Sequence, residues 1–363
     1  MPYNQYDLPK YPVCSDVWDK LAAENRPIVV YGMGNGADKL FSRFEKYGIK
    51  AADVFASDGF VRGHSYRGIR VKSFSEIKET YSEFVIVVSF ASSRDEVIEM
   101  LSEIDKKYDV YVPDMPVAEP LTYFDREFYN ENYEKIVRVY ELLADEKSKN
   151  CYAAILNYKL SGRMEYLLGA YSDTDDIYSL IGCDNIKCAV DVGAYNGDTV
   201  REMKSYFAGL EKIVAIEPDK RNFKKLLKYS EECPEPCPEV INAAAHSECG
   251  SASFSSSGNR NSSISSSASF EHKIDTVPLI TVDSLKLSAD YIKYDVEGAE
   301  YEALLGSHNT IGKYSPKLLV SLYHKSRDIF ELPLLINERY PERKLFLRRT
   351  KCLPAWEIDL IVK

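Results

Sequence analysis

The glycine-spaced turn in "VDVGAYNGDT" is the first group of residues whose types and spacing fit ligand binding. Asp191 closes an apolar run, and Gly193 and Gly197 follow it in the pattern DxGxxxG. Glycines at this spacing let a strand turn sharply into a helix N-terminus and let the backbone approach a ligand. The nicotinamide fingerprint requires GxGxxG, and Tyr195 stands at its second glycine. The pattern therefore predicts a ligand-binding turn but disfavours a dinucleotide.

A carboxylate follows this turn at the distance expected for a ribose ligand. Glu217 lies twenty residues after Gly197, at the end of the apolar run "KIVAIEPD". An open α/β sheet places an acid there to accept both hydroxyls of a ribose. The next apolar run ends in "NAAAH", whose small residues leave room for a flat base. We therefore predict that Glu217 binds a ribose.

Acids and one histidine that could accept a proton follow two later apolar runs. Asp295, Glu297 and Glu300 lie in "YDVEGAE", and His324 lies in "SLYHK". His324 is the favoured base, because an ordinary pKa of about 6.5 leaves it neutral and able to accept at pH 7. The alternative is a structural histidine bonded to a neighbouring carbonyl. Glu297 and Glu300 begin a helix, where a carboxylate can simply complement the helix dipole, whereas Asp295 closes the strand.

No metal site is predicted. The acids of "YDVEGAE" are split between a strand and a helix, so they do not assure a shared ligand set, and magnesium or calcium is the less favoured alternative. The cysteines and histidine of "CPEPCPEVINAAAHSEC" are too irregularly spaced for a zinc knuckle.

The elements that must position these residues fall into three parts. Short apolar runs alternate with helical patterns from about 26 to 112 and again from 186, which predicts parallel sheets with crossovers, and the strands vanish between them. We predict a small Rossmann-like α/β domain at 1–115, a helical connector at 116–184 and a second α/β domain at 185–363. "KLFLRRT" and "AWEIDLIVK" predict a closing antiparallel hairpin. The serine-rich segment 247–270 is too polar for a core, which leaves a linker or a mobile loop near the ligand.

The first domain has a glycine turn of its own. "YGMGNGADKL" runs GxGxGA, and Asp58 stands where a ribose acid belongs. A span of about 85 residues has too few strands for a full dinucleotide site, which needs two mononucleotide halves. This part resembles the small Rossmann-like domains attached to sugar-modifying enzymes, which implies recognition of a nucleotide sugar or an acceptor. A packing or dimerisation domain is the equal alternative.

The composition bounds the class of protein and its partners. The chain has 363 residues, of which 45% are hydrophobic and 28% charged, and a formal charge of -10. This acidic balance argues against nucleic acid and anionic membranes as partners. The N-terminal residues lack the basic start and apolar core of a signal peptide, and no run is long enough to span a membrane. We expect a cytoplasmic protein.

Five pieces in order give a more specific expectation. "DVGAYNGDT", "AIEPD", "NAAAHSECGSASF", "TVDSL" and "YIKYDVEGAEYEALLG" resemble the FkbM-type family of class I S-adenosylmethionine-dependent methyltransferases over residues 186–363. The resemblance implies a seven-stranded sheet with S-adenosyl-L-methionine across the strand ends, its ribose on Glu217 and its methyl beside Asp295. The implied cofactor-binding residues are Asp191, Gly193, Ala194, Asn196, Gly197, Thr199, Glu217, Pro218, Asp219, Ala244 and Asp295.

The same resemblance implies the activity. We expect a transferase of the EC 2.1.1 class that methylates a hydroxyl oxygen on a saccharide or another small metabolite, with His324, Asp295 and Glu297 as catalytic residues. The expected partner is that small acceptor, and a homo-oligomer is left open. The alternatives are an NAD-dependent oxidoreductase or a nucleotide-sugar-binding protein that uses the first glycine turn, and a binding or sensor protein with a relic methyltransferase fold.

Overall fold

The fold is described from a computed structural model that covers residues 5–61, 63–256, 263–264 and 273–363. Its helices are α1 (Val17–Ala22), α2 (Asn35–Tyr47), α3 (Phe74–Thr80), α4 (Asp95–Asp105), α5 (Arg126–Glu131), α6 (Tyr133–Leu142), α7 (Glu146–Ser161), α8 (Glu165–Leu168), α9 (Thr174–Ile181), α10 (Asp198–Tyr206), α11 (Lys220–Glu232), α12 (Glu300–Leu305), α13 (His308–Tyr314) and α14 (Asp328–Arg339). Within these ranges no helix is both long and apolar enough to cross a membrane.

The strands form three sheets. They are β1 (Ile28–Tyr31), β2 (Ala51–Ala56), β3 (Ser65–Tyr66), β4 (Ile69–Ser73), β5 (Val85–Val88), β6 (Asp109–Tyr111), β7 (Cys188–Val192), β8 (Lys212–Ile216), β9 (Glu239–Ile241), β10 (Ala244–Ala245), β11 (Gly250–Ser256), β12 (Ser263–Ile264), β13 (Lys273–Ile280), β14 (Tyr291–Tyr294), β15 (Lys317–Ser321), β16 (Leu345–Arg349) and β17 (Ile358–Val362). Two short 3-10 helices lie at Asp58–Phe60 and Val282–Leu285.

The first sheet has the strand order β3-β4-β2-β1-β5-β6. All neighbouring pairs are parallel except β3 with β4. Every residue of β1 and β5 is buried, as expected for central parallel strands that are covered on both faces. The predicted Rossmann-like alternation of the N-terminal part is therefore present.

Packing explains the glycines of the first turn. A side chain at Gly36 would place its Cβ 2.0 Å from the carbonyl oxygen of Ser89, and one at Gly32 would place it 2.8 Å from the ring of Phe90. Both neighbours follow β5, so these glycines allow α2 to approach the adjacent strand end. Asp58, the proposed ribose acid, opens a 3-10 helix of three residues. These contacts favour the packing alternative for this turn.

The segment between the two large sheets is helical and deeply buried. Helix α7 is buried on nearly its whole circumference, and Leu347 of β16 donates its backbone N–H to Ser148 Oγ of α7 at 2.9 Å. One hydrophobic core joins β1, this helix and the strands of the second large sheet. The division at 115 and 184 stays a prediction, since the core runs across both boundaries.

The second large sheet has the order β16-β17-β15-β14-β7-β8-β9. Its strands are parallel except for β17, which pairs antiparallel with both β15 and β16. The prediction of a seven-stranded, doubly wound sheet with a closing hairpin is confirmed. The carboxyl ends of β7, β8, β14 and β15 meet at one edge, which is where open α/β sheets bind ligands.

A small third sheet was not predicted from the sequence. Its order is β10-β13-β11-β12, and β11 pairs antiparallel with β13 from Gly250 to Ser256. Part of the serine-rich segment is thus β-structure rather than a linker. The rest of that segment, 257–262 and 265–270, lies outside the described residues, so the prediction of a mobile loop there is not tested.

Replacing Gly36 with Ala should lower stability, because the added methyl meets a backbone carbonyl that cannot move without disturbing β5. The expected cost is about 1–3 kcal/mol, the usual cost of overpacking. Thermal unfolding of the full chain measures it. Gly312→Ala is the matched control, since a Cβ at that helical position meets nothing within 4 Å. Equal stability of Gly36→Ala and the control would contradict the packing account of this turn.

Candidate functional site

A cavity of about 340 Å³ opens at the carboxyl edge of the second large sheet. Six of the predicted cofactor-binding residues line it, together with the predicted catalytic residue Glu297. These six are Gly193, Thr199, Glu217, Pro218, Ala244 and Asp295. The structure therefore brings residues from four separate segments of sequence to one cavity.

The turn after β7 owes its glycines to protein contacts. Gly193 has φ +96°, and a Cβ there would lie 1.8 Å from the carbonyl oxygen of Asp295. Gly197 has φ +85°, and a Cβ there would lie 2.7 Å from the ring of Tyr229. The sequence-based explanation of these glycines, an open approach to a ligand, is incomplete. Gly193 lines the cavity, but the main reason for glycine here is that the turn after β7 packs directly against the end of β14.

Asp191 is a buried carboxylate without a hydrogen-bond partner among the described residues. Both of its oxygens are inaccessible, and burial raises the pKa of Asp191 to about 7. The positive charge of Lys293 opposes this rise. An orphaned buried carboxyl is costly unless something else favours it, which indicates a functional group rather than a packing residue.

Lys293 supplies the opposing charge at this edge, and sequence reasoning missed it. Its Nζ donates to Asp295 Oδ2 at 3.1 Å and to Thr199 Oγ1 at 3.0 Å. Burial alone would lower the pKa of Lys293, but Asp295, Asp191 and Asp359 raise it above its usual value. The lysine therefore stays charged and compensates the buried Asp191 and the partly exposed Asp295 and Asp359. The available signal was a cation inside the apolar strand "YIKY".

Glu217 closes β8 with its carboxylate held in place by backbone groups. Its Oε1 accepts the N–H of Asp219 and its Oε2 accepts the N–H of Tyr195, each at 2.9 Å. Burial raises the pKa of Glu217 to about 8, although these two donors favour the ionised form. A carboxylate fixed at a cavity wall with lone pairs to spare can accept the hydroxyls of a bound ligand.

The predicted base-binding wall follows β9. Ala243, Ala244 and Ala245 are buried and line the cavity. Asn242 donates its side-chain N–H groups to the carbonyl oxygens of Glu217 at 2.8 Å and Pro218 at 3.1 Å. The turns after β8 and β9 are thus tied together beside a wall of methyl groups.

His324 lies in a cluster of acids at the ends of β14 and β15. It is wholly buried, and its Nδ1 lies 2.8 Å from Glu300 Oε1. Its Nε2 lies 3.5 Å from both Asp295 Oδ1 and Glu297 Oε2. Tyr323 donates its hydroxyl to the same Oδ1 of Asp295 at 3.2 Å. The structure therefore brings the three predicted catalytic residues together.

The expected charge state of His324 does not hold in this environment. Burial alone would lower the pKa of His324, but Glu300, Glu297 and Asp295 raise it to about 10. Burial would likewise raise the pKa of Asp295, yet Lys293 and then His324 lower it to about 2. The histidine is consequently protonated at pH 7, because three carboxylates surround it, and not neutral as its ordinary pKa suggested. Its role as a base stays a prediction.

Several predicted residues do not line the cavity. They are Asp191, Ala194, Asn196, Gly197, Asp219 and His324. Asp219 has a structural role, because its side chain accepts hydrogen bonds from the backbone N–H groups of Arg221 and Asn222 and so caps α11. The sequence missed cavity residues from the closing hairpin, among them Asp359, whose pKa burial raises to about 8.

Comparison with known proteins shows which family the second part of the chain resembles. Residues 191–343 match the family described as methyltransferase FkbM domain. The crystal structure of methyltransferase FkbM from Methylobacillus flagellatus KT resembles this chain with a TM-score of 0.71 at 19% identity. The match covers 99% of this chain and 94% of that one, so the shared fold includes the first sheet and the helices.

Two further solved structures each match about half of this chain. One is a putative methyltransferase from Streptococcus mutans in complex with SAH, at 8% identity and TM-score 0.34, covering 53% of this chain and 97% of that one. The other is an rRNA methylase from Streptococcus thermophilus, at 11% identity and TM-score 0.32, covering 52% and 92%. TM-scores this low carry no argument. A search of curated proteins found no match.

Replacing Lys293 with Met should destabilise the protein, because it removes a mostly buried cation and leaves Asp191, Asp295 and Asp359 uncompensated. Breaking a fully buried ion pair costs about 3–5 kcal/mol, which is the upper limit for this partly exposed pair. Lys212→Met is the control, since the Lys212 pair with Glu239 is exposed and contributes little. Thermal unfolding compares the two. A Lys293→Met protein that unfolds at the same temperature as the control would exclude this charge compensation.

Proposed function

Residues 191–343 form a methyltransferase FkbM domain, and from this premise we propose that the protein transfers a methyl group to a hydroxyl oxygen of a saccharide or another small metabolite. The strongest support is the convergence of Glu217, Asp295 and the alanine wall on one cavity. Oxygen as the acceptor atom and a saccharide as its carrier come from the family resemblance.

S-adenosylmethionine is the cofactor of this domain, and when bound it supplies a methyl group on a cationic sulfur. The cavity residues fit such a group. Glu217 offers fixed acceptor oxygens for ribose hydroxyls, and Ala243–Ala245 leave space for a base. Asp191 does not line the cavity, and its buried carboxyl can favour a positive group there only through its charge.

The binding role is assigned to the same residues that the sequence indicated. Glu217 and Ala244 contact the nucleoside, and Gly193, Thr199, Pro218 and Asp295 complete the wall. The other predicted binding residues do not line the cavity and act indirectly, through the geometry of the turns and through their charge. They are Asp191, Ala194, Asn196, Gly197 and Asp219.

The catalytic role falls to the acid cluster. Asp295 and Glu297 line the cavity and can orient an acceptor hydroxyl by accepting its hydrogen bond. His324 holds both carboxylates from behind. The negative charge of this cluster favours a cation at the reacting centre, so alignment and electrostatics supply most of the rate enhancement.

The oxidoreductase alternative has less support. Packing against Ser89 and Phe90 accounts for Gly32 and Gly36 of the first turn. The nucleotide-sugar alternative relies on the same turn, so the same packing contacts weaken its support.

Thermal-shift and mass-spectrometric measurements on the full chain test the proposal. S-adenosylhomocysteine should raise the unfolding temperature and NAD should not. Incubation with S-adenosylmethionine and a panel of saccharides and small hydroxyl compounds should add one methyl to an oxygen of an acceptor, and Asp295→Asn should lower kcat while S-adenosylhomocysteine still binds. Stabilisation by NAD alone would favour the oxidoreductase.

Cofactor affinity should depend on pH through Glu217. Its pKa near 8 in the free protein means that most of the carboxyl is protonated at pH 7, and ribose hydroxyls bind the ionised form better. Affinity for S-adenosylhomocysteine should therefore rise about tenfold from about pH 7 to about pH 9. Calorimetry at several pH values measures this.

Glu217→Gln is the control for that prediction. It should bind the ligand more weakly and lose the part of the pH dependence that comes from Glu217, while titration of the ligand itself affects both proteins equally. Identical pH profiles for the two proteins would contradict the proposal that the Glu217 carboxylate binds the ribose.

A further inference from the structure

The surroundings of His324 are unusual for a structural ion pair. The side chain is wholly buried, and its Nδ1 lies 2.8 Å from Glu300 Oε1, whereas its Nε2 makes no hydrogen bond among the described residues. Glu300 Oε2 is also buried without a hydrogen bond. A buried ring nitrogen that faces two carboxylates at 3.5 Å without a directed hydrogen bond points to a missing ligand.

The two faces of the imidazole have different neighbours. Glu300 lies on the Nδ1 side, and its Oε1 is anchored by the N–H groups of Val296 at 2.9 Å and Gly298 at 3.3 Å. Asp295 and Glu297 lie on the Nε2 side and line the cavity. One ring nitrogen thus faces a fixed carboxylate and the other faces two acids at the cavity wall.

This division is typical of a metal-binding histidine. Such a residue donates one ring N–H to a carboxylate or carbonyl, which fixes its tautomer, and binds the metal with the other nitrogen. Ligand atoms of Asp295, Glu300 and His324 lie within 4.8 Å of one another, and Glu297 Oε2 joins Asp295 on the Nε2 side of the ring, opposite Glu300. Neighbouring ligands at bonds of about 2.1 Å lie about 3 Å apart, so the 3.5 Å separations at Nε2 need to change little.

We propose that His324 Nε2, Asp295 and Glu297 bind one divalent first-row cation, such as Mn²⁺ or Zn²⁺, that Nε2 releases its proton to solvent when the cation binds, and that Glu300 orients His324 for it. A nitrogen ligand with two carboxylates suits these ions better than calcium or magnesium, which take oxygen ligands. The acids of "YDVEGAE" alone do not predict a metal site. The histidine that completes the set comes from the end of another strand.

The site deepens the proposed function and rests on it. Three protein ligands leave open positions on the cation, which an acceptor with two neighbouring oxygens, such as a vicinal diol or an α-hydroxy acid, can occupy. Held by His324, Asp295 and Glu297, the cation would lower the pKa of an acceptor hydroxyl, whose proton would be lost to solvent. The oxygen keeps the electron pair that forms its bond to the methyl carbon, while the pair of the broken carbon–sulfur bond stays on sulfur.

Manganese titration of the EDTA-treated, dialysed full chain tests the site without any activity assay. Electron paramagnetic resonance of free Mn²⁺ should show one bound ion per chain. Glu300→Gln should weaken binding by about 10–100-fold, the usual loss when an orienting partner is removed. His324→Gln and Glu297→Gln, which each remove a ligand, should lose at least as much. Glu202→Gln, a carboxylate at the same cavity but outside the cluster, should bind Mn²⁺ as the wild type does.

S-adenosylhomocysteine binding, measured separately by calorimetry, shows that each variant is folded. The side chain of Glu297 is partly exposed, so we expect Glu297→Gln to fold. Its Mn²⁺ affinity can therefore test the site even if His324→Gln does not fold. Binding of neither Mn²⁺ nor Zn²⁺ above the level of the ligand variants would overturn the proposal and leave the cluster an ion-pair network. Metal binding without S-adenosylhomocysteine binding would support the metal site and contradict the proposed function.

Discussion

A buried positive charge holds the carboxyl edge of the second large sheet together. Lys293 lies between Asp191 on β7, Asp295 after β14 and Asp359 on β17, and donates directly to Asp295. Parallel strands bring their carboxyl ends to one edge, so acids from distant segments meet there and repel one another in a poorly solvated environment. The lysine offsets this repulsion, and the low pKa of Asp295 depends on it.

Hydrogen bonds to backbone carbonyl oxygens connect helix α2, which packs on the first sheet, to the same edge. Lys39 of α2 donates its Nζ to the carbonyl oxygens of Pro116 at 2.8 Å and Val117 at 3.3 Å. The N–H groups of Val117 and Ala118 in turn donate to the carbonyl oxygen of His324, at 3.2 Å and 3.0 Å. Packing of α2 at the first glycine turn therefore supports the position of the buried histidine, which gives this turn a structural role that needs no nucleotide.

The sequence was sufficient to predict the elements whose signal is local. Apolar runs located the strands of the second large sheet and the central strands of the first, and the spacing between Gly197 and Glu217 indicated an acid at the cavity. The hairpin β16–β17 followed from two apolar runs parted by "KCLP". The small third sheet was missed, because β11 consists mostly of serine and has no alternating apolar pattern.

Properties that depend on contacts between distant segments could not be predicted. The need for glycine at 193 comes from the carbonyl of Asp295, about a hundred residues away. The protonation of His324 comes from Glu300 and its neighbours, which only the fold brings to the ring. Lys293 was overlooked because a lysine within a strand usually faces solvent, whereas this one faces buried acids.

A crystal structure of the full chain with S-adenosylhomocysteine tests the central claim most directly. We expect the ribose hydroxyls within hydrogen-bond distance of the Glu217 carboxylate, the base against Ala243–Ala245, and the sulfur on the side of Asp295. A ligand bound at the first glycine turn, or a nucleoside that leaves Glu217 without contact, would contradict it.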